Sequence, residues 1–402
     1  MKIYRGMYKY YFDEKDKSNI RKMVATLHDS VSSIIPDFMI KENPGFIVYC
    51  DEMLYELADI RNKNLSIDKI SGNLPDVARH QFLKQAIIEE IHQNNEMENI
   101  HSTRKEISDE MKVIENGQKG KRFDGMIRKY QLLLKKEKVS LLSCQDVRDL
   151  YDSFVLDEVM KEDTKDVPDG LYFRKNPVSV IKGSTPIHEG VYPESAINEA
   201  MEHALRFLND SDYDPLIRLS AFHYMFGYIH PFYNGNGRMT RFISSSVLQQ
   251  SNIHLLVALR LSYVIKSHRS QYYEMFKVAN DKRNYGDMTC FVIGFLKFIN
   301  EACEQVFDFL HEKESLLNHY SERVDKLKLD EDCQNVLFVL VQVSVCVSES
   351  LSIKNLAEIC GKSRYIINKC LQEIMPYCSK DHHGREQLFR ANLELLDNIE
   401  KS

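Results

Sequence analysis

Between residues 230 and 241 the chain reads His-Pro-Phe-Tyr-Asn-Gly-Asn-Gly-Arg-Met-Thr-Arg, and these residue types at this spacing suit the handling of phosphate. Gly235, Asn236 and Gly237 accept backbone conformations that turn successive N–H groups inward, and a helix starting there adds the positive end of its dipole. Arg238 and Arg241 are three apart, so both guanidinium groups can stand on one helix face and bracket phosphate oxygens. His230, at the lip of the loop, carries an imidazole that titrates near neutrality and can take a proton from an attacking hydroxyl. The same residues also suit a capped turn with a surface histidine and two solvated arginines, and residue chemistry alone leaves the two readings level.

Helices must position such a loop, and the sequence supplies them. Glycine (16) and proline (10) are scarce among 402 residues, and the apolar positions recur mostly with period 3.6, so the chain reads as all-α. Asp214-Pro215 predicts a helix start, cap then first-turn proline, with the helix running to His230-Pro231. A second helix is expected after Asn236-Gly237, towards Leu248. Upstream, helices are expected over Asn19 to Val31, Val77 to Asn94 and Asp124 to Leu134, with Glu115 to Gly120 a loop. Gly170 to Arg174, then Pro177 to Ile181 and the turn Lys182-Gly183-Ser184, alternate β-branched and aromatic residues and predict a short hairpin. Leu351 to Ile374 reads as two short helices joined by Gly361-Lys362, which is helix-turn-helix spacing.

The 43% apolar content can fill cores in two to four domains, and the net charge of −6 argues against a chain covered in nucleic-acid-binding charge. Nine cysteines without a CxxC pair read as reduced thiols. Cys360, Cys370, Cys378, His382 and His383 cluster in sequence without short zinc-ligand spacing, and buried structural cysteines are the expected outcome. No apolar run approaches the roughly 20 residues of a membrane span, and the first residues show no apolar leader. A soluble, cytoplasmic protein without a membrane partner is the expectation.

The 230–241 segment resembles the Fic (Fido) signature, His-Pro-Phe-x-acidic-Gly-Asn-Gly-Arg-x-x-Arg, matching at His230, Pro231, Phe232, Gly235, Asn236, Gly237, Arg238 and Arg241. The resemblance implies protein AMPylation, with ATP as substrate, Mg²⁺ as cofactor and a Ser, Thr or Tyr hydroxyl of a target protein as acceptor. His230 would be the general base, Asn236 and the loop amides would hold the α- and β-phosphates, and Arg238 and Arg241 the outer phosphates. The 170–181 stretch resembles the family's target-docking hairpin. Tyr272 or Tyr273 would lie near the adenine, although an aromatic at helical spacing is also plain core. Asn234 stands where most active members carry the acidic Mg²⁺ ligand. Three readings follow: a slower transferase whose metal is held mainly by phosphates, a member with another metal or transferred group, or a degenerate binding module.

The segment around Asn94, Glu98 and Asn99 resembles the family's N-terminal inhibitory helix, Ser/Thr-x-x-x-Glu-Gly/Asn, with Asn94 in the first position. Glu98 would pair with Arg241 and occupy the space of the γ-phosphate; by spacing alone it reads as one more glutamate on a solvated face. The expected organisation is an N-terminal helical region with the inhibitory helix (1–160), a Fic core (161–320) and a winged-helix-like domain (321–402). Lys362, Arg364 and Lys369 give the last domain modest charge for reading DNA, so protein contact or homodimerisation stands level with DNA. The rival functions are a nucleic-acid-binding regulator with a nucleotide-sensing Fic core, and a Fic transferase or de-AMPylase of different group specificity.

Overall fold

The computed structural model describes residues 2–182, 185–346, 350–383 and 386–398. They form two compact units, Met1–Asn64 with Ile87–Glu304, and Leu65–Ala86 with Gln305–Ser402. Most of the expected 1–160 region and the 161–320 region up to Glu304 thus fall in the first unit, whereas Leu65–Ala86 belong to the second with Gln305–Ser402.

The first unit is built on the helix Pro215–Ile229. Asp214 caps it, its carboxylate accepting the Leu216 N–H at 2.8 Å, and Pro215 takes the first helical position, where its missing N–H costs nothing. The helix is apolar all round and buried on nearly every side, as a central core helix must be. Its neighbour Asn236–Gln250 is equally buried but carries Arg238, Thr240, Arg241 and three consecutive serines. The apolar part of that helix is held by aromatic contact: Phe242 stacks on Phe154 at 4.5 Å and meets the edge of Tyr130 at 5.0 Å. Burying one such ring is worth roughly 1.5–3 kcal/mol.

Helix Cys144–Phe154 begins with a reciprocal cap, in which the Ser143 hydroxyl accepts the Asp146 N–H at 3.2 Å and the Asp146 carboxylate accepts the Ser143 N–H at 3.1 Å. Helix Asp124–Leu134 has the expected limits. Helix Lys17–His28 starts two residues earlier than the apolar pattern indicates, because the Asp16 carboxylate caps it through the Ser18 N–H at 2.9 Å. Helix Asp76–Met97 overruns the expected Val77 to Asn94 at both ends.

The hairpin is displaced relative to the sequence expectation. Its strands are Ser179–Lys182 and Thr185–Glu189, antiparallel with a register break after Val180, and the turn residues Gly183 and Ser184 lie outside the described residues. Gly170 to Arg174 is not a strand. The Glu194 carboxylate accepts its N–H groups at Tyr172 (2.9 Å) and Phe173 (3.1 Å), replacing a strand partner. Two further two-residue strand pairs, Ser33–Ile34 with Ile47–Val48 and Met39–Ile40 with Asn43–Pro44, were too short to leave an alternation in the sequence.

In the second unit, helices Ile353–Cys360 and Arg364–Ile374 meet at Gly361, whose φ of +62° suits glycine. They pack with helix Glu331–Cys346, and a three-stranded antiparallel sheet follows with Glu386–Ala391 between Leu351–Ser352 and Cys378–His383. Among the described residues no helix is long and apolar enough to cross a membrane.

Candidate active site

The loop between the two central helices is closed from within. His230 ends Pro215–Ile229 in the left-handed region (φ 52°, ψ 62°), and Gly235 opens Asn236–Gln250 at φ +82°. Between them both polar atoms of the Asn236 side chain serve the loop: Oδ1 accepts the Phe232 N–H at 2.9 Å and Nδ2 donates to the Phe232 carbonyl at 2.7 Å. Phe232 stacks on Tyr151 at 3.8 Å, and the Tyr151 hydroxyl donates to the Asn234 carbonyl at 3.2 Å. Asn236 therefore shapes the loop, in which the Phe232 N–H is engaged by Asn236 and the Gly235 N–H by Asn234.

The two arginines are answered by different carboxylates. Arg238, fully buried, donates from both terminal nitrogens to Glu162 at 3.1 and 3.3 Å and to the Asn234 amide oxygen at 3.2 Å. Arg241 donates from Nη2 to Glu98 at 2.6 Å and to the Asn94 carbonyl at 3.1 Å, and from Nε to the Asn94 side-chain oxygen at 2.6 Å. Asn94 thus fixes the guanidinium twice over. Asn99 is exposed and in the left-handed region (φ 60°) just after helix Asp76–Met97, a conformation that asparagine tolerates better than most residues. The turn it makes begins at Glu98.

Gly237 explains how the glutamate fits. A Cβ there would collide with the Glu98 carboxylate and lie 3.0 Å from the Arg241 Nη1. Burial pushes the Glu98 carboxyl up, but Arg241, and behind it Arg238 and His230, outweigh burial and hold it below the usual carboxylate range. The imidazole of His230 is pushed down to about 4, by burial first and then by Arg174, with Glu98 opposing. It is neutral at pH 7, the form a general base requires.

Asn234 sits among carboxylates. Its Nδ2 donates to Glu162 and to Asp166, each at 3.1 Å, while its Oδ1 accepts the Gly235 N–H at 2.7 Å. Tyr272 is a core residue with an occupied hydroxyl, 2.8 Å from His223 Nε2, and His223 Nδ1 is 2.9 Å from the Ser244 hydroxyl. Tyr273 meets its edge at 5.6 Å and is less buried.

Sequence reasoning missed four groups here. Arg174, in the stretch read as a strand, is buried and donates to the carbonyls of His230 (2.9 Å), Asn176 (2.6 Å) and Val191 (2.8 Å), so it holds the backbone of the candidate base. Glu162 and Asp166 carry no spacing signal. Glu90, wholly buried, accepts the Ser262 N–H (3.1 Å), the Ser262 hydroxyl (2.5 Å) and the Tyr130 hydroxyl (3.2 Å). Tyr130 in turn lies 3.3 Å from the Asn94 amide, which links Glu90 to the residue that grips Arg241.

Part of the chain is similar to known proteins. Residues 141–248, which span the loop and most of both central helices, match the Fic/DOC family. A protein adenylyltransferase Fic of Drosophila virilis is 30% identical over 140 residues, which is 35% of this chain and 25% of that protein. The protein of the same name from Aedes aegypti is 30% identical over 122 residues, 30% of this chain and 22% of that one. The chain therefore spans about a quarter of the length of these curated relatives. The crystal structure of a Fic family protein from Desulfovibrio desulfuricans aligns over 86% of this chain and 97% of its own, with a TM-score of 0.51 at 18% identity, and shares the helical fold.

Proposed function

We propose that the chain is a protein adenylyltransferase, moving AMP from ATP to a Ser, Thr or Tyr hydroxyl of a target protein and of itself, and that Glu98 restrains it. The observation that carries this reading is the Arg241–Glu98 pair at 2.6 Å beside Gly237: the guanidinium suited to the outer phosphates already holds a carboxylate. In the reaction the acceptor oxygen bonds to the α-phosphorus, its proton passes to neutral His230, and pyrophosphate leaves with the electrons of the broken P–O bond. Arg174 keeps the His230 backbone fixed during that transfer. The loop amides bind phosphate oxygens, and Arg238 and Arg241 carry the charge of the departing pyrophosphate once their carboxylate partners give way.

Mg²⁺ favours anionic oxygen ligands, and Asn234 alone supplies a neutral one. The carboxylates of Glu162 and Asp166, both at 3.1 Å from the Asn234 amide, restore anionic oxygen to this corner, and these three residues would hold the ion. When bound, it would neutralise phosphate charge. The amide also favours a second reading, a Fic enzyme that transfers another group or removes AMP.

In this proposal residues 1–160 regulate, 161–320 catalyse, and the winged-helix-like 321–402 makes protein contacts. Lys362 is tied to Asp332 at 2.7 Å and Lys369 leans on Asp330 at 3.9 Å, so two of the three basic residues of this motif already face carboxylates.

The test is a four-variant cycle of wild type, Glu98→Gly, Asn234→Asp and the double variant, assayed for self-labelling at several Mg²⁺ concentrations. Glu98→Gly should label itself with Asn234 in place, and Asn234→Asp should lower the Mg²⁺ needed. All four binding ATP yet transferring nothing would remove AMP transfer in favour of the second reading.

A further inference from the structure

A second cluster, in the C-terminal unit, has no part in this chemistry. The Asp330 carboxylate and the Cys333 and Cys370 sulfurs lie within 4.8 Å of one another. Asp330 stands at the start of helix Glu331–Cys346, its carboxylate accepting the Cys333 N–H at 2.8 Å, so Asp330 and Cys333 are fixed on one turn. Cys370 comes from helix Arg364–Ile374, and Glu373, three residues on and so on the same face, accepts the Cys333 thiol at 3.5 Å. Both thiols are buried, whereas the aspartate reaches solvent.

We propose that Asp330, Cys333 and Cys370, completed by Glu373, bind a zinc ion that pins helix Glu331–Cys346 to the helix-turn-helix of this unit. Two thiols packed only for volume would sit among apolar groups; here two carboxylates face them, with one cation, Lys369, at 3.9 Å from Asp330, an arrangement that a divalent cation relieves. Zinc takes thiolate sulfur at ~2.3 Å and carboxylate oxygen at ~2.0–2.2 Å in tetrahedral geometry. Ligand atoms around it are then about 3.3–3.8 Å apart, so a contraction of about 1 Å brings Asp330, Cys333 and Cys370 onto one ion, and Glu373, 3.5 Å from the Cys333 sulfur, swings in as the fourth ligand. Binding exchanges two S–H protons, released to solvent, for two metal–sulfur bonds, with no change in oxidation state. The exposed aspartate is the side from which the ion enters. The sequence concealed the site because Cys333 and Cys370 are far apart in the chain and form no short ligand pair.

The test is a Co²⁺ titration of the full-length reduced protein, followed by Zn²⁺ competition. The expected result is a one-equivalent thiolate-to-cobalt charge-transfer band in the near ultraviolet, bleached by zinc. Asp330→Asn, at an exposed position that should not disturb folding, is expected to weaken cobalt binding by roughly 10- to 100-fold, and Cys333→Ser to abolish the band. Absence of the band in the reduced wild type, or its persistence in a folded Cys333→Ser/Cys370→Ser variant, overturns the proposal. So does conversion of the two thiols to a disulfide by mild oxidant together with no metal uptake when reduced.

Discussion

The Glu98 carboxylate fills the space that any side chain at Gly237 would need. The glycine therefore has a use beyond the turn: it opens the wall through which the Glu98 carboxylate reaches Arg241. In the proposed function the restraint and the phosphate-binding backbone would share one small volume, and nucleotide and Glu98 would compete for it.

Replacing Gly237 by Ala should consequently act on the restraint. Overpacking of this kind typically costs about 1–3 kcal/mol, and part of that cost should vanish when Glu98→Gly is added, because the alanine then has room. Urea unfolding of the four proteins of this cycle measures the coupling. Strict additivity would show that Glu98 does not occupy the Gly237 space in solution.

His230 offers a titration with a definite sign. Its native pKa of about 4 lies below the unfolded value near 6.5, so the unfolded chain binds more protons in that interval. The neutral imidazole contributes stability above pH 6.5 that is lost as pH falls through 4. NMR of the ring should show His230 neutral at pH 5 in the free protein. Glu98 opposes the depression, so Glu98→Gly should lower the value further, and nucleotide bound to that variant should raise it through the phosphate charge. A midpoint near 6.5 in the free wild type would contradict the burial of the base.

Glu90 gives the opposite sign. Burial lifts its carboxyl to about 7, with the Ser262 hydrogen bonds and Arg241 opposing. The native state therefore binds the extra proton, and stability is full below about pH 4.5 and falls as pH rises through 7. The difference is on the order of 3 kcal/mol. Glu90→Gln should flatten this part of the stability profile, read from denaturant midpoints between pH 5 and 8; an unchanged slope would mean that Glu90 is already ionised.

The helices around the site were legible because local chemistry and packing agree there. Asp214-Pro215 marks a helix start by capping and ring geometry alone, and Gly235 to Gly237 mark the turn into the next helix. Glu98 was legible only through a resemblance, since its partner Arg241 is 143 residues away and spacing cannot express such a contact. Glu162 was not legible at all, because its partner Arg238 is 76 residues away. Gly170 to Arg174 misled because aromatic alternation signals a strand only when a partner strand is present, and here the Glu194 carboxylate takes that place. The resemblance implies Asn236 as a phosphate ligand; in the structure its two polar side-chain atoms bond to the Phe232 backbone, a contact that spacing does not express.

The central claim is that this site moves AMP and that Glu98 holds it back. The most direct measurement incubates wild type, Glu98→Gly and Glu98→Gly/His230→Ala with ATP labelled on either the α- or the γ-phosphate, and follows radioactivity on protein. Glu98→Gly should acquire the α-label and not the γ-label, well above wild type, and His230→Ala in that background should reduce transfer by roughly 10²–10⁴-fold while ATP still binds. Transfer of the γ-label, or α-labelling that survives the loss of His230 within about tenfold, would contradict the account.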